Sequence, residues 1–105
     1  MTVYFDNAAT TKVLPEAAEL MVKVMTENYG NPSSASVLGI EADKVLKKAA
    51  SDVASVINAE SDEIYFTSGG TESDNWAVFG TAAGYSRSGK HMLYTSIEHP
   101  AINLP

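Results

Sequence analysis

The sequence of 105 residues predicts an α/β fold, with helices packed on a mostly parallel sheet. Three observations carry that expectation. Residues 64–67 (Ile64, Tyr65, Phe66, Thr67) and 92–95 (Met92, Leu93, Tyr94, Thr95) are short, continuously apolar runs, the pattern of strands covered on both faces. A helical stretch ending at Gly84 lies between them, so strand, helix and strand fall within about 30 residues, the length of a right-handed βαβ unit. Two more stretches, residues 15–28 and 37–57, repeat apolar side chains every three or four positions, as helices lying on a sheet do.

Composition narrows the class of function. The chain is 45% hydrophobic and 19% charged, ordinary globular chemistry for one small domain. It has no cysteine, which excludes a disulfide framework, a thiolate metal site or a cysteine nucleophile within these residues. A formal charge of −6, with Arg87 the sole arginine, argues against nucleic acid as a partner. No run of about 18 apolar residues is present to span a membrane. The start, Met-Thr-Val-Tyr-Phe-Asp, lacks a basic region followed by an apolar one, so the expected location is the cytoplasm. The histidines show no ligand spacing, and no metal is expected.

The first element in order is the apolar run Val3, Tyr4, Phe5, which reads as an N-terminal strand. Asp6 and Asn7 turn it, and Ala8, Ala9, Thr10 and Thr11 are too small to fill a core. Pro15 suits a first helical position, and Leu14, Ala17/Ala18, Met21 and Val24/Met25 form the stripe of the helix that follows. That helix is expected to end near Asn28, with Gly30 at its C-cap. Its methionines read as core filler. Asn31, Pro32, Ser33 and Ser34 make a turn from which a serine caps the next helix. Leu38, Ala42, Val45/Leu46, Ala49, Val53 and Val56/Ile57 form the stripe of that helix, and Lys44, Lys47, Lys48 and Asp52 its solvated face.

After a polar connector at residues 58–62 comes the stretch on which the chain is organised: Ile64-Tyr65-Phe66-Thr67-Ser68-Gly69-Gly70-Thr71-Glu72-Ser73-Asp74-Asn75-Trp76. A strand that stops at this glycine turn and feeds a helix leaves several N–H groups unpaired and parallel. The positive end of the helix dipole adds to them, so the turn suits a phosphate or carboxylate. Gly69 and Gly70, lacking Cβ atoms, let an anion approach the backbone. Neither the dinucleotide fingerprint nor the P-loop is present. Two plainer readings stand beside this one: Thr71 and Asp74 fit a loose capping box, and a glycine pair can simply turn the chain. The helix shows Trp76, Val78/Phe79 and Ala82/Ala83 on one face. Residues 85–90 are a surface loop. His99 follows the second strand and precedes Pro100, placed to start another helix. In an open α/β sheet ligands bind beyond the carboxyl ends of the strands, which puts His99 on the rim that holds Gly70 and Thr71. A capping or loop role is the alternative for His99, and His91 reads as structural.

Four strings taken together resemble one family. Tyr-Phe-Asp-Asn-Ala-Ala-Thr-Thr at the start, Gly-Asn-Pro-Ser-Ser with Gly39 in register, Phe-Thr-Ser-Gly-Gly-Thr-Glu-Ser-Asp-Asn, and Glu-His with Ala101 are similar to the cysteine desulfurases, within the class V aminotransferase group. The chain departs from that pattern at three positions: Gly70 for the usual Ala, Ser36 for His, and Ala50 for Arg. The resemblance implies the N-terminal part of a fold-type I pyridoxal 5'-phosphate enzyme. Residues 1–14 would be an arm and active-site loop, and residues 15–105 the start of the large cofactor-binding domain, a single incomplete domain with an incomplete sheet.

By the same resemblance Gly70 and Thr71 bind the cofactor phosphate, and His99 stacks on the pyridine ring and serves in proton transfer. The implied reaction takes sulfur from L-cysteine, leaves alanine and an enzyme persulfide, and passes sulfur to an acceptor protein, as in iron–sulfur cluster assembly. Selenocysteine lyase-like and other class V activities stay open. The implied Schiff-base lysine is not matched by Lys12, Lys23, Lys44, Lys47, Lys48 or Lys90. The chain is therefore expected to be an N-terminal fragment, inactive alone, that forms a homo-oligomer or joins a complementing C-terminal chain. One chain of a split enzyme and a non-catalytic anion-binding module are the alternatives.

Overall fold

A computed structural model describes residues 3–105. They form two compact units, Met1–Ile64 and Tyr65–Pro105, each treated by itself. The first holds α1 (Pro15–Thr26), α2 (Val37–Ile57) and a 3-10 turn, Ser61–Glu63; the second holds α3 (Gly70–Gly84) and the single-turn α4 (Pro100–Asn103).

Pro15 opens α1, where its missing N–H would have had no partner. The helix ends at Thr26, short of Asn28, with the Glu27 N–H on the Lys23 carbonyl at 2.8 Å. Gly30 is not its C-cap. A Cβ at Gly30 would collide with the Leu38 carbonyl, and one at Gly39 with the carbonyls of Ser34 and Asn31. Both glycines are required because the turn after α1 lies directly against the first turn of α2. Within that turn the Asn31 side chain accepts from the Ser33 N–H at 2.9 Å, and the Ser34 N–H bonds the Asn31 carbonyl at 2.9 Å.

Ser36 is the capping serine: its hydroxyl accepts from the Gly39 N–H at 3.2 Å and lies 3.2 Å from the Ser34 hydroxyl. A serine at position 36 thus has a local structural reason. Asn58 closes α2 in the left-handed region (φ 56°), which asparagine tolerates. Three exposed ion pairs, Lys44–Glu41, Lys47–Asp43 and Lys48–Asp52, line the solvated face of α2, each worth a few tenths of a kcal/mol, about what a helix pair contributes. A reciprocal capping box between Glu60 and Glu63 fixes the 3-10 turn, which packs on α2.

The expected strands are not formed. Among the described residues none is in a strand, and residues 3–5, 65–67 and 92–95 make no ladder of backbone hydrogen bonds. Ile64 has extended angles (φ −97°, ψ 120°), but extended backbone becomes a strand only through inter-strand bonds. Consequently neither the βαβ unit nor the sheet is formed among the described residues. At the N-terminus the expected turn does form: the Ala9 N–H bonds the Asp6 carbonyl at 3.1 Å, and the Tyr4 hydroxyl bonds it at 2.8 Å.

Apolar burial is slight. Among the described residues the buried hydrophobics are Ala42 and Ala54 in the first unit and Ala101 in the second. Phe5 is 91% exposed, Val56 83%, Leu93 86% and Ile97 91%. Burying one such side chain contributes about 1.5–3 kcal/mol, so these four alone leave on the order of 6–12 kcal/mol unrealised. That matches the whole stability of a typical domain, about 5–15 kcal/mol. The purified chain is therefore expected to associate, giving a light-scattering mass above that of one chain. A monodisperse monomer with a cooperative melt would show that its core closes unaided.

Candidate functional site

The start of α3 determines what the second unit can bind. Gly69 is the N-cap, with extended backbone and no side-chain cap, and its carbonyl accepts the Ser73 N–H at 3.1 Å. Among the described residues no acceptor reaches the N–H of Gly70, Thr71 or Glu72, and none pairs the Thr71 hydroxyl. A Cβ at Gly69 or Gly70 would meet nothing within 4 Å. Packing does not demand these glycines, and the space at both Cβ positions is open. The capping box between Thr71 and Asp74 is not formed, because the N-cap lies two residues before Thr71.

Side chains brace the turn from both sides instead. The N–H and hydroxyl of Ser68 both donate to Oε2 of Glu72, at 2.6 and 2.7 Å. The hydroxyls of Thr67 and Ser73 bond each other at 2.7 Å, and Thr67 also donates to the Gly69 carbonyl at 3.1 Å. The Ser68 N–H, and then its hydroxyl, hold the Glu72 carboxyl below the ordinary glutamate range; slight desolvation opposes them. Tyr65 and Trp76 add a tilted aromatic pair at 6.2 Å.

His99 is the N-cap of α4: its Nδ1 accepts from the Ala101 N–H at 3.1 Å. In the neutral ring the proton then resides on Nε2. The Asn103 amide holds the Glu98 carbonyl at 2.6 Å, and the Glu98 carboxylate takes the Thr95 hydroxyl at 2.6 Å, so both sides of His99 are tied down. Thr71, Asn75 and Phe79 of α3 share a cavity of about 480 Å³ with His99, Pro100 and Leu104. Thr71 and His99 are thus brought to one cavity. Gly70 is not on its wall but immediately precedes Thr71. A second cavity, about 440 Å³ near Lys90 and His91, touches none of these residues. Sequence reasoning assigned no role to Ser68, Glu72 or Asn75. The signal was the four-residue spacing of Ser68 to Glu72 and of Thr71 to Asn75, whose amide donates to the Thr71 carbonyl at 2.8 Å.

This backbone is similar to that of a solved NifS-like protein, with a TM-score of 0.91 and 42% identity over 99% of this chain and 29% of that one. The fold is accordingly of the fold-type I pyridoxal-phosphate class. The Aminotransferase class-V family profile matches residues 3–105, so the chain belongs to the class V aminotransferases. It is 50% identical over 100 residues to the cysteine desulfurase IscS of Methanosarcina thermophila, and 48% identical over 101 residues to that of Neisseria meningitidis. Each alignment covers 95% of this chain and 25% of the relative. The chain spans about a quarter of the length of these relatives.

The Glu72 brace has a measurable consequence. A carboxyl stabilised in its charged form contributes stability above its unfolded-state value, and loses that contribution as pH falls through the lower folded-state value. A carboxyl-resolved NMR titration should place the Glu72 midpoint below the ordinary 4.5, with the Ser68 amide signal moving in step. A midpoint at or above 4.5 contradicts the brace.

Proposed function

We propose that this chain forms the phosphate-binding end of the pyridoxal 5'-phosphate site of a cytoplasmic cysteine desulfurase. The reading is carried by one observation: the free N–H groups and hydroxyl at Gly70 and Thr71 stand beside a cavity that Thr71 shares with His99. The residues fit the group. A phosphate is a dianionic acceptor, and the start of α3 offers unpaired donors, a positive dipole end and open space where side chains would otherwise lie.

When bound, pyridoxal 5'-phosphate supplies the electron sink for breaking bonds in an amino-acid substrate. Gly70 and Thr71 would hold the phosphate by their N–H groups, with the Thr71 hydroxyl as a third donor. His99 would lie against the ring of the bound cofactor, and its Nε2 would hold or move a proton while Nδ1 stays fixed on the Ala101 N–H. The substrate is L-cysteine, whose sulfur goes on to an acceptor protein. Residues 1–14 serve as the arm of the site and residues 15–105 as the start of its large domain. The uncovered apolar residues support a second copy or a complementing chain as the structural partner.

None of the six lysines stands in the Schiff-base motif of the family, so the 105-residue chain should release no sulfide from L-cysteine. Thr71→Val removes one hydrogen bond to a charged group, a loss of about 1.5–3 kcal/mol, and should weaken pyridoxal 5'-phosphate binding at least about tenfold. Quenching of Trp76, the single tryptophan, reports the affinity. Unchanged affinity removes Thr71 from the site, and sulfide release by the chain overturns its incompetence.

A further inference from the structure

The residues on either side of the glycine turn form a bracket that nothing in the proposed chemistry uses. Ser68 and Glu72 are joined by two bonds to one carboxylate oxygen, and Thr67 and Ser73 by a third between hydroxyls. Between them lie Gly69 and Gly70, the most flexible residue type, with no atom packed where their Cβ atoms would be. Packing therefore does not hold the turn in place.

The bracket holds it, together with the Ser73 N–H on the Gly69 carbonyl, and leaves the N–H groups of Gly70 and Thr71 unoccupied. This matters because a donor set binds an anion tightly only when it is already aligned; an unbraced glycine pair would have to be ordered on each binding event. Two effects of Glu72 oppose each other. Its bonds to Ser68 order the turn, whereas its negative charge near the free N–H groups disfavours an incoming anion. The bonds and the charge can be separated, because both bonds fall on Oε2 alone and a glutamine carbonyl oxygen can accept both.

We propose that Glu72, through its paired bonds to Ser68, is a positioning residue that pre-aligns the Gly70 and Thr71 N–H groups for a phosphate monoester. This rests on the reading of that turn as the phosphate site. The test compares pyridoxine 5'-phosphate with pyridoxine in this chain, by quenching of Trp76. Neither probe carries an aldehyde, so lysine imines do not intrude. The readout is the ratio of the two affinities, which isolates the phosphate contribution; a residue that merely supports the fold would lower both affinities alike.

Glu72→Ala is expected to lower the ratio about tenfold and Ser68→Ala to lower it less, in the same direction. Glu72→Gln should keep or raise it. A ratio unmoved by Glu72→Ala while Thr71→Val lowers it overturns the positioning role alone. A ratio that Thr71→Val leaves unmoved overturns the phosphate reading itself. Equal losses in Glu72→Gln and Glu72→Ala would show that an accepting oxygen at position 72 does not preserve the ratio, and would overturn the bracket. Should Glu72→Ala fail to fold, Ser68→Ala decides, an unmoved ratio counting against the proposal.

Discussion

An α-helix cannot pair the N–H groups of its own first turn, and α3 leaves them without side-chain partners as well. The local sequence arranges this. A glycine N-cap offers no side-chain acceptor, the hydroxyls of Thr67 and Ser73 bond each other, and Glu72 turns back to Ser68. The donors that remain free are those of Gly70, Thr71 and Glu72. Had position 69 been Ser or Asp, its side chain would normally have reached an N–H of the first turn and filled the space a ligand needs. The candidate site is thus a place where the usual capping economy of a helix has been left incomplete.

The same logic, applied to extended chain, explains what is missing. Residues 64–67 and 92–95 are apolar and read as buried strands, yet no backbone among the described residues pairs with them. A strand owes its existence to a neighbour, unlike a helix, whose bonds are internal. The side chains tell the same story: Leu93 stands 86% exposed in a run whose pattern calls for cover on both faces. Agreement with the NifS-like protein over 99% of the chain shows that the trace follows the fold even where the sheet bonds are absent.

What was legible in the sequence follows this division. The span of α2 and the end of α3 at Gly84 were readable because caps and periodicity are local. The resemblance to class V enzymes was readable because four strings keep their order along the chain. Gly30 was misread as a helix cap, since its real reason is the passing carbonyl of Leu38, eight residues on. The rim on which topology would place Thr71 and His99 needs a sheet, and no strand forms among the described residues. That they share a cavity depends on how α4 packs on α3, which no local pattern specifies. The Ser68–Glu72 bracket was hidden because serine and glutamate at a helix start are ordinary on any count of propensity.

On the proposed reading, the free amides at the start of α3 are the phosphate-binding groups of the chain. Residue-resolved hydrogen exchange tests it most directly, with and without pyridoxine 5'-phosphate. Exchange at Gly70 and Thr71 should be fast in the free chain, slowed when the phosphate ester is added and unaffected by pyridoxine. Protection that falls elsewhere, or that pyridoxine produces equally, would contradict it.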